Sequence, residues 1–579
     1  MVKAQRECVP SSGITFRHQQ NPSMNGEDTD SLKSFYGYKE TFAKSTTWVG
    51  VPKDLTFVHT SNPYEDEDAD EFGPGPALAH QSFGHAQRDH EYALDQAAYP
   101  AYATHGLEAL SHLAYLLRDA RNHALAWMDL YDSNSFFAAR VPVLAVDCPL
   151  LLYSCACLSA KSLARVDGRR PIMDGQFWPG PPMDTESWMR KGREYYDIAV
   201  SLLRQSLAGA SRPRTSSLPA TAATLMNVQG APLPTTDSDE LVAATAILCV
   251  YEFLDASGPE WSRHLDGAKT LFDIAKDQAQ LASRASPGYS VPRVKALSPG
   301  RKAVFWNFAR QDMLSAFINN TSTRLDTGDL SMWRSAGLQL TLDGYVCPSH
   351  PQCSGYVAEQ AMGDDMIGNA LVWLVMKLVN FIAAGNEVQE DISPLGLDVR
   401  QRELLEHWES LEQQLHVWHE GLPDGFRPVA IRRSALECET EYWIPRPMCA
   451  STMQWYNFAK IQLLHNKPHL STATPLTGVL GSSAPGTPGT SLAARHASDA
   501  SILQQSRAHA KAIIAISNGR SDEGTRIHSV QPMWTAGLVS HEAETWRKAI
   551  VDLLRGLERD MGWASEYRVQ SLLQLWGLD

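Results

Sequence analysis

Cys347 and Cys353 flank His350, a short run of soft metal ligands. Tetrahedral zinc sites draw on four such groups, commonly in paired Cys-x2-Cys spacing, and no such pair accompanies this trio. No metal site is expected there. Cys155 and Cys157 have one residue between them in LLYSCACLSA, a helix-like apolar run. A thiol in that setting behaves as a small hydrophobe, so both read as core cysteines. The others are Cys8, Cys148, Cys249, Cys438 and Cys449. An odd, scattered set does not read as a disulfide framework and fits a reducing compartment.

Two further groups carry polar chemistry. Trp261, His264 and Gly267 recur at three-residue steps on one helical face. Gly267 is expected to let a neighbouring helix approach, with His264 hydrogen-bonding across the contact. Arg310 and Asp312 sit beside a Phe/Trp-rich face. Arg310 is expected to tie helices together through a carboxylate, with backbone groups satisfying it as well. Asp364 and Asp365 read as helix-start or surface charges. No Gly-x-Gly-x-x-Gly follows a strand pattern, and no Walker loop, His-Glu-x-x-His or Gly-x-Ser-x-Gly elbow is present. HLDGA at 264–268 lacks partners for a metal. The expected site residues are therefore none: no catalytic, cofactor-binding or metal-ligating set, and no enzyme.

These residues need a scaffold, and the chain supplies a large one. At 579 residues it has length for two to four domains. Its composition is globular, 44% hydrophobic and 20% charged. A formal net charge of -14 argues against a nucleic-acid footprint over most of the surface, since that footprint is basic. A small basic module on an acidic body stays compatible with it. The apolar run at 370–384 is short and contains Lys377, so it reads as a buried helix and not a membrane span. The N-terminus lacks the apolar region of a secretory signal.

Residues 1–100 are polar and poorly periodic, with an acidic block, YEDEDADEF, at 64–72. Disorder is expected there. The block, bounded by Tyr64 and Phe72, reads as a solubilising linker or an activation-type segment. From about Ala101 the pattern turns helical, with Leu107, Leu110, Leu113 and Leu117 at three- and four-residue steps. Helices are expected at 149–166, at 186–207 with Trp188, Tyr195, Ala199 and Leu202 on one face, and at 241–254. The last is apolar all round and so central, capped by Asp237 or Ser238. Pro259 suits the first turn of another, striped by Trp261, Leu265, Ala268 and Phe272. More are expected at 302–318, 362–384, 400–420, 449–466, 498–517, 538–561 and 567–576. Loops are expected at about 209–236, 279–299 and 468–497, the last rich in Ser, Thr, Gly and Pro. Pro468 stops a helix because it cannot continue the hydrogen-bond ladder. Trp563, Leu572, Leu573, Leu575 and Trp576 read as a closing core element. The fold class is mostly α: a multi-helical domain with a disordered N-terminal segment and loop insertions.

Five segments in order carry a family resemblance: PLLLYSCACLSAKSLAR at 149–165, LVAATAILCVYEFLDASGPEWSRHLDGAKTLF at 241–272, FWNFARQDMLSAF at 305–317, WYNFAKIQLLHNKP at 455–468 and GWASEYRVQSLLQLWG at 562–577. The chain resembles the fungal-specific transcription factor domain, the helical middle homology region of Zn2Cys6 binuclear-cluster regulators. The opening, MVKAQRECVPSSG, is similar to the end of that family's zinc cluster, with Met1 where the fifth cysteine stands and Cys8 where the sixth does. The resemblance implies a remnant of the cluster at 1–15, a linker at 16–100 and the regulatory domain at 101–579.

It also implies a nuclear transcriptional regulator of a metabolic or secondary-metabolite gene cluster. Zinc is implied only where the other five cysteines exist upstream, and DNA contact only through that module or a partner. A homodimer, or a heterodimer with an intact zinc-cluster factor, is implied, as is a small-molecule effector; a membrane is not. Two other readings stand beside it. One is a helical co-regulator or scaffold acting through a partner without DNA contact. The other is an enzyme on a repurposed helical body.

Overall fold

The computed structural model describes residues 100–166, 183–208, 233–235, 238–255, 262–270, 297–347, 362–386, 394–468, 488–540 and 543–578. The chain divides into two units, Met1–Ala93 and Leu94–Asp579, and every described residue lies in the second. The cluster remnant, the acidic block, His350, Cys353 and Trp261 lie outside the described residues.

The second unit is built from helices. The first is α1, Pro100–Asn122, followed by the short α2, Ala124–Met128, a π-turn at Phe136–Arg140 and α3, Val141–Leu144. The long helices α4, Pro149–Arg165, α5, Thr185–Ala208, and α6, Asp239–Phe253, come next. Residues 262–270 form α7. Then follow α8, Pro299–Asn319, α9, Leu330–Ser335, α10, Asp364–Asn386, and α11, Pro394–Glu420. The C-terminal part holds α12, Pro447–His465, α13, Pro488–Asn518, α14, Glu523–His528, α15, Val530–Val539, α16, Glu544–Met561, and α17, Glu566–Trp576.

Local chemistry sets several ends. Ser238 accepts from the Leu241 N–H at 3.2 Å and caps α6. Ser298 does the same for Arg301, with Pro299 in the first turn of α8, where its missing N–H costs nothing. α12 stops at His465, and Asn466 turns its amide onto the Gln462 carbonyl before Pro468. α16 ends on Gly562 in the left-handed region, φ 70°.

α4 packs against α1, α5 and α6, and α12 packs against α10, α13 and α15. α8 lies against both α6 and α10, so it joins the two groups. α6 is buried on every side, as its unbroken apolar composition requires. Trp188, Tyr195, Ala199 and Leu202 are the buried face of α5. α10 is long and apolar enough to cross a membrane, yet it is mostly buried in the protein, as a core helix is. Its Lys377 lies 3.6 Å over the Trp373 ring and donates to Gln414 at 3.0 Å.

Some expectations are corrected. Residues 488–497, read as the end of a loop, are the first turns of α13: Pro488 begins the helix and the alanines behind it favour one. α14 and α15 were hidden by their brevity. A two-stranded hairpin pairs β1, Ala430–Arg432, with β2, Glu441–Trp443, antiparallel with Ile431 opposite Tyr442. It sits at the end of α13, where a Cβ on Gly519 would overlap the Tyr442 carbonyl. Leu575 is exposed, while Leu572 is fully buried against Gly537. The tail is thus a closing element on one face only.

Candidate functional site

The polar chemistry gathers on α8. Asn307, Arg310, Gln311 and Leu314 share one face of it, at three- and four-residue spacing. Arg310 is buried and donates from Nη1 to Asn369 Oδ1 and from Nη2 to the Met128 carbonyl, both at 3.2 Å. Its guanidinium lies 4.9 Å from the centroid of the Tyr131 ring. Asn369 in turn donates to the Tyr131 carbonyl at 3.3 Å, and the Tyr131 hydroxyl donates to Ser451 Oγ at 2.8 Å. One cation therefore links α8, α10 and the turn after α2, and through Tyr131 it reaches α12.

This departs from the expected helix tie through a carboxylate. The hydrogen-bond partners of Arg310 are neutral, and no carboxylate among the described residues reaches ion-pair distance of it. Burial pulls its pKa down to about 10, opposed by the through-space effect of Tyr131, Asp132 and Asp129, so it stays charged at neutral pH. Asp312, two residues on, points to another side of α8. It accepts from Arg324 Nη1 at 3.2 Å and from the Leu325 N–H at 2.9 Å. Arg324 also holds Asp266 at 2.6 Å and Ser262 at 2.7 Å, which fastens α7.

Asp129 does the work of a cap. Its oxygens accept from the N–H groups of Phe137 at 2.9 Å and Ala138 at 2.6 Å, which open the π-turn. Ser135, in the left-handed region at φ 51°, aims those donors. Burial pushes the Asp129 carboxyl up to about 7, although both backbone bonds favour the charged form. On the far side, burial and the Arg310 charge hold His528 down at about 4, so its ring is neutral. His528 pairs through Nε2 with the Trp127 carbonyl at 3.2 Å and meets Tyr131 edge-on. Glu523 accepts from Trp127 Nε1 at 2.8 Å and pairs with His123 at 2.9 Å, tying α14 to the start of the unit.

Two cavities adjoin Arg310. The larger, of about 40 Å³, lies between α6, α8, α12, α14, α15 and Trp563. The smaller, of about 10 Å³, lies on the Tyr131 and Gly368 side. Two buried polar atoms of the larger cavity's lining have no protein partner: Arg310 Nε and Asn307 Oδ1.

The other candidates resolve as structural. His264 pairs with the Tyr196 hydroxyl at 2.9 Å, the expected bond across helices. Gly267 makes no close approach among the described residues: none of them lies within 4 Å of where its Cβ would stand. Leu265 and Ala268 are the buried positions of α7, and Gly267 falls between them on the solvent side. The close-approach glycine is Gly368 on α10, whose Cβ would meet the Tyr131 ring at 2.8 Å and Thr452 Oγ1 at 2.9 Å. Cys155 and Cys157 are fully buried, and burial raises both thiol pKa values far above the ordinary one. Cys347 is a partly exposed free thiol. Asp364 opens α10 and pairs with Arg446. Among the described residues no three His, Cys, Asp or Glu side chains could hold one metal ion.

Asn307, Asn369, Asp129 and His528 escaped the reading of the sequence. Two of them left a signal: Asn307 and Asn369 are amides inside apolar stretches of helix, FWNFARQ and IGNALVW. A buried amide needs a partner, so such a residue points to a polar contact.

Comparison with known proteins accords with the helical body. The family model described as fungal specific transcription factor domain matches residues 115–576. The protein named Transcription activator AMTR1, from Alternaria alternata, is 34% identical over 723 aligned positions, covering 99% of this chain and 91% of that one. No solved structure matches the chain. The residues given hold no Cys-x2-Cys-x6-Cys half-motif, since Cys8 is followed by no other cysteine before Cys148. The chain belongs to the fungal specific transcription factor domain family, the helical regulatory region of Zn2Cys6-type regulators, and is a transcriptional regulator homologue.

Proposed function

We propose that the protein is a nuclear activator of a co-regulated set of metabolic or secondary-metabolite genes, acting as a dimer or beside an intact zinc-cluster factor. The observation that carries this reading is similarity along 99% of the chain to a protein named a transcription activator. The acidic net charge and the absence of a cluster half-motif from these residues support DNA contact through a partner or a further module. The helical body is then the regulatory part, and the acidic block at 64–72 is the segment offered to the transcription machinery.

The test is a tagged chain expressed from its own locus, followed by chromatin immunoprecipitation and transcript profiling against a deletion strain. The reading expects a nuclear protein, occupancy at a small set of promoters, and reduced transcripts from those genes in the deletion. Occupancy should also vanish on deletion of the partner factor recovered with it, when the cluster is supplied in trans. A protein excluded from nuclei, with transcripts unchanged, would overturn it.

A further inference from the structure

We propose that the cavity beside Arg310 and Asn307 is a binding site for a small 2-hydroxy- or 2-amino-carboxylate. Three observations converge on it. Arg310 is a buried cation whose hydrogen bonds run to an amide oxygen and a backbone carbonyl, not to a carboxylate. Buried charges are ordinarily paired, because desolvation is costly without an opposite charge. The neighbouring Asp129 does not serve: its oxygens are occupied by the N–H groups of Phe137 and Ala138.

The second observation is that Arg310 Nε, a donor, has no partner, and neither does Asn307 Oδ1, an acceptor. Both residues are only 5% exposed and both line the cavity of about 40 Å³. They stand three residues apart on α8, which sets their Cβ atoms roughly 5–6 Å apart. A carboxylate takes the Nε edge of a guanidinium side-on, the geometry of charge-assisted pairs. A hydroxyl or amine on the adjacent carbon then donates to Asn307 Oδ1. One ligand of this class satisfies both atoms and brings the charge that pairs the cation; a simple anion lacks a donor for Asn307, and a neutral amide, though it offers an acceptor and a donor, lacks the charge.

The third observation is the wall. Phe253, Leu314, Trp455, Ile527 and Trp563 give the carbon skeleton an apolar, largely aromatic enclosure. The volume admits a head of two or three carbons and disfavours bulky acids. Sites of this kind, mostly apolar with a few converging polar groups, are how proteins take small ligands. The lining comes from α6, α8, α12, α14, α15 and the turn before α17, so occupancy would brace helices from both ends of the unit. Binding itself does not depend on the activator reading; only a regulatory consequence of binding rests on it.

The test is calorimetric titration of the full-length chain with glycolate, glycine, acetate and acetamide at matched ionic strength. Saturable binding of glycolate or glycine is expected, on the order of millimolar for so few atoms, and stronger than that of acetate; the two separate the hydroxy from the amino class. Acetamide can make both hydrogen bonds but brings no charge, so it should bind more weakly than either acid. Arg310→Lys should weaken the bound acid by about tenfold or more, since a lysine cannot offer the side-on fork. Asn307→Ala should leave acetate binding in place and erase the advantage of glycolate or glycine over it. Should Arg310→Lys fail to fold, the Asn307→Ala comparison decides alone. No saturable binding by either acid, equal binding of acetamide, or a glycolate advantage that survives Asn307→Ala would each overturn the proposal. In the tagged strain, promoter occupancy can fail while this binding holds, and the reverse, so the two readings fall separately.

Discussion

Helix α4 and the face of α8 around Arg310 are buried to a similar depth but held by different forces. Along α4 every residue except Leu163 and Arg165 is buried, and its polar groups, apart from the unpartnered Ser162 Oγ, turn onto neighbours. Ser154 donates to the Leu150 carbonyl at 2.8 Å and Ser159 to Asp119 at 2.7 Å. Lys161 donates to the Tyr251 carbonyl at 2.7 Å and meets Asp255 at 2.6 Å. What remains is apolar packing against α5 and α6. Around Arg310 the same depth holds a guanidinium, a carboxylate, two amides, a phenol and a neutral imidazole, linked across five segments of the chain. The first region draws its stability from removed surface. The second draws it from directed bonds and carries unspent donors and acceptors.

Mutations separate the two. Leu158→Ala, in the fully buried row of α4, should cost about 3 kcal/mol from lost transfer and the cavity left behind. Chemical denaturation measures it, and the cost should be the same at every pH where the protein folds. A cost below about 1 kcal/mol would mean that this helix is loosely packed.

Asp129→Asn should give a pH-dependent difference instead. The folded carboxyl titrates near 7 and the unfolded one near 3.8. Between those values only the folded state holds the proton, so raising the pH removes stability from the wild type, by up to about 1.4 kcal/mol per unit. The stability of wild type relative to the variant should therefore fall between about pH 4 and about pH 7 and level off above. His528, held down at about 4, works in the opposite sense between 4 and 6.5, but it is common to both proteins and cancels in the comparison. A flat difference would contradict the burial of Asp129.

Smaller effects come from two glycines. Gly368→Ala should destabilise by about 1–3 kcal/mol, because its Cβ would press on the Tyr131 ring that Arg310 overlies. Gly267→Ala should stabilise by about 0.5–1 kcal/mol, because it sits in a helix with open space around it. Thermal melting of the two single variants checks both signs. The reverse pattern would restore Gly267 as the close-approach position.

The same contrast explains what the sequence made legible. The helices of the dry region could be read because burial imposes a period, as with Trp188, Tyr195, Ala199 and Leu202 on α5. α6 was legible as central from its unbroken apolar run. The short α14 and α15 carry too few turns for a period to show. The polar region was not legible as a unit, because its members come from residues 129, 131, 307, 310, 369 and 528, and only the tertiary fold brings them together. Arg310 reads as a tie between helices with backbone groups among its partners, which the Met128 carbonyl meets, but the Asn369 oxygen takes the place of the expected carboxylate, since the two serve a guanidinium alike. Gly267 was misassigned for a related reason: a glycine at helical spacing says nothing of which face is covered.

The central claim is that this helical body belongs to a transcriptional regulator, and tethering tests it most directly. The full chain would be fused to an unrelated DNA-binding domain and placed before a reporter with that domain's sites, with Arg310→Lys and Leu158→Ala fusions alongside. The account predicts that the wild-type fusion raises reporter transcripts well above the DNA-binding domain alone, and that Leu158→Ala lowers this with the amount of folded protein. A fusion that is folded, nuclear and bound to its sites, yet leaves transcription unchanged, would contradict it.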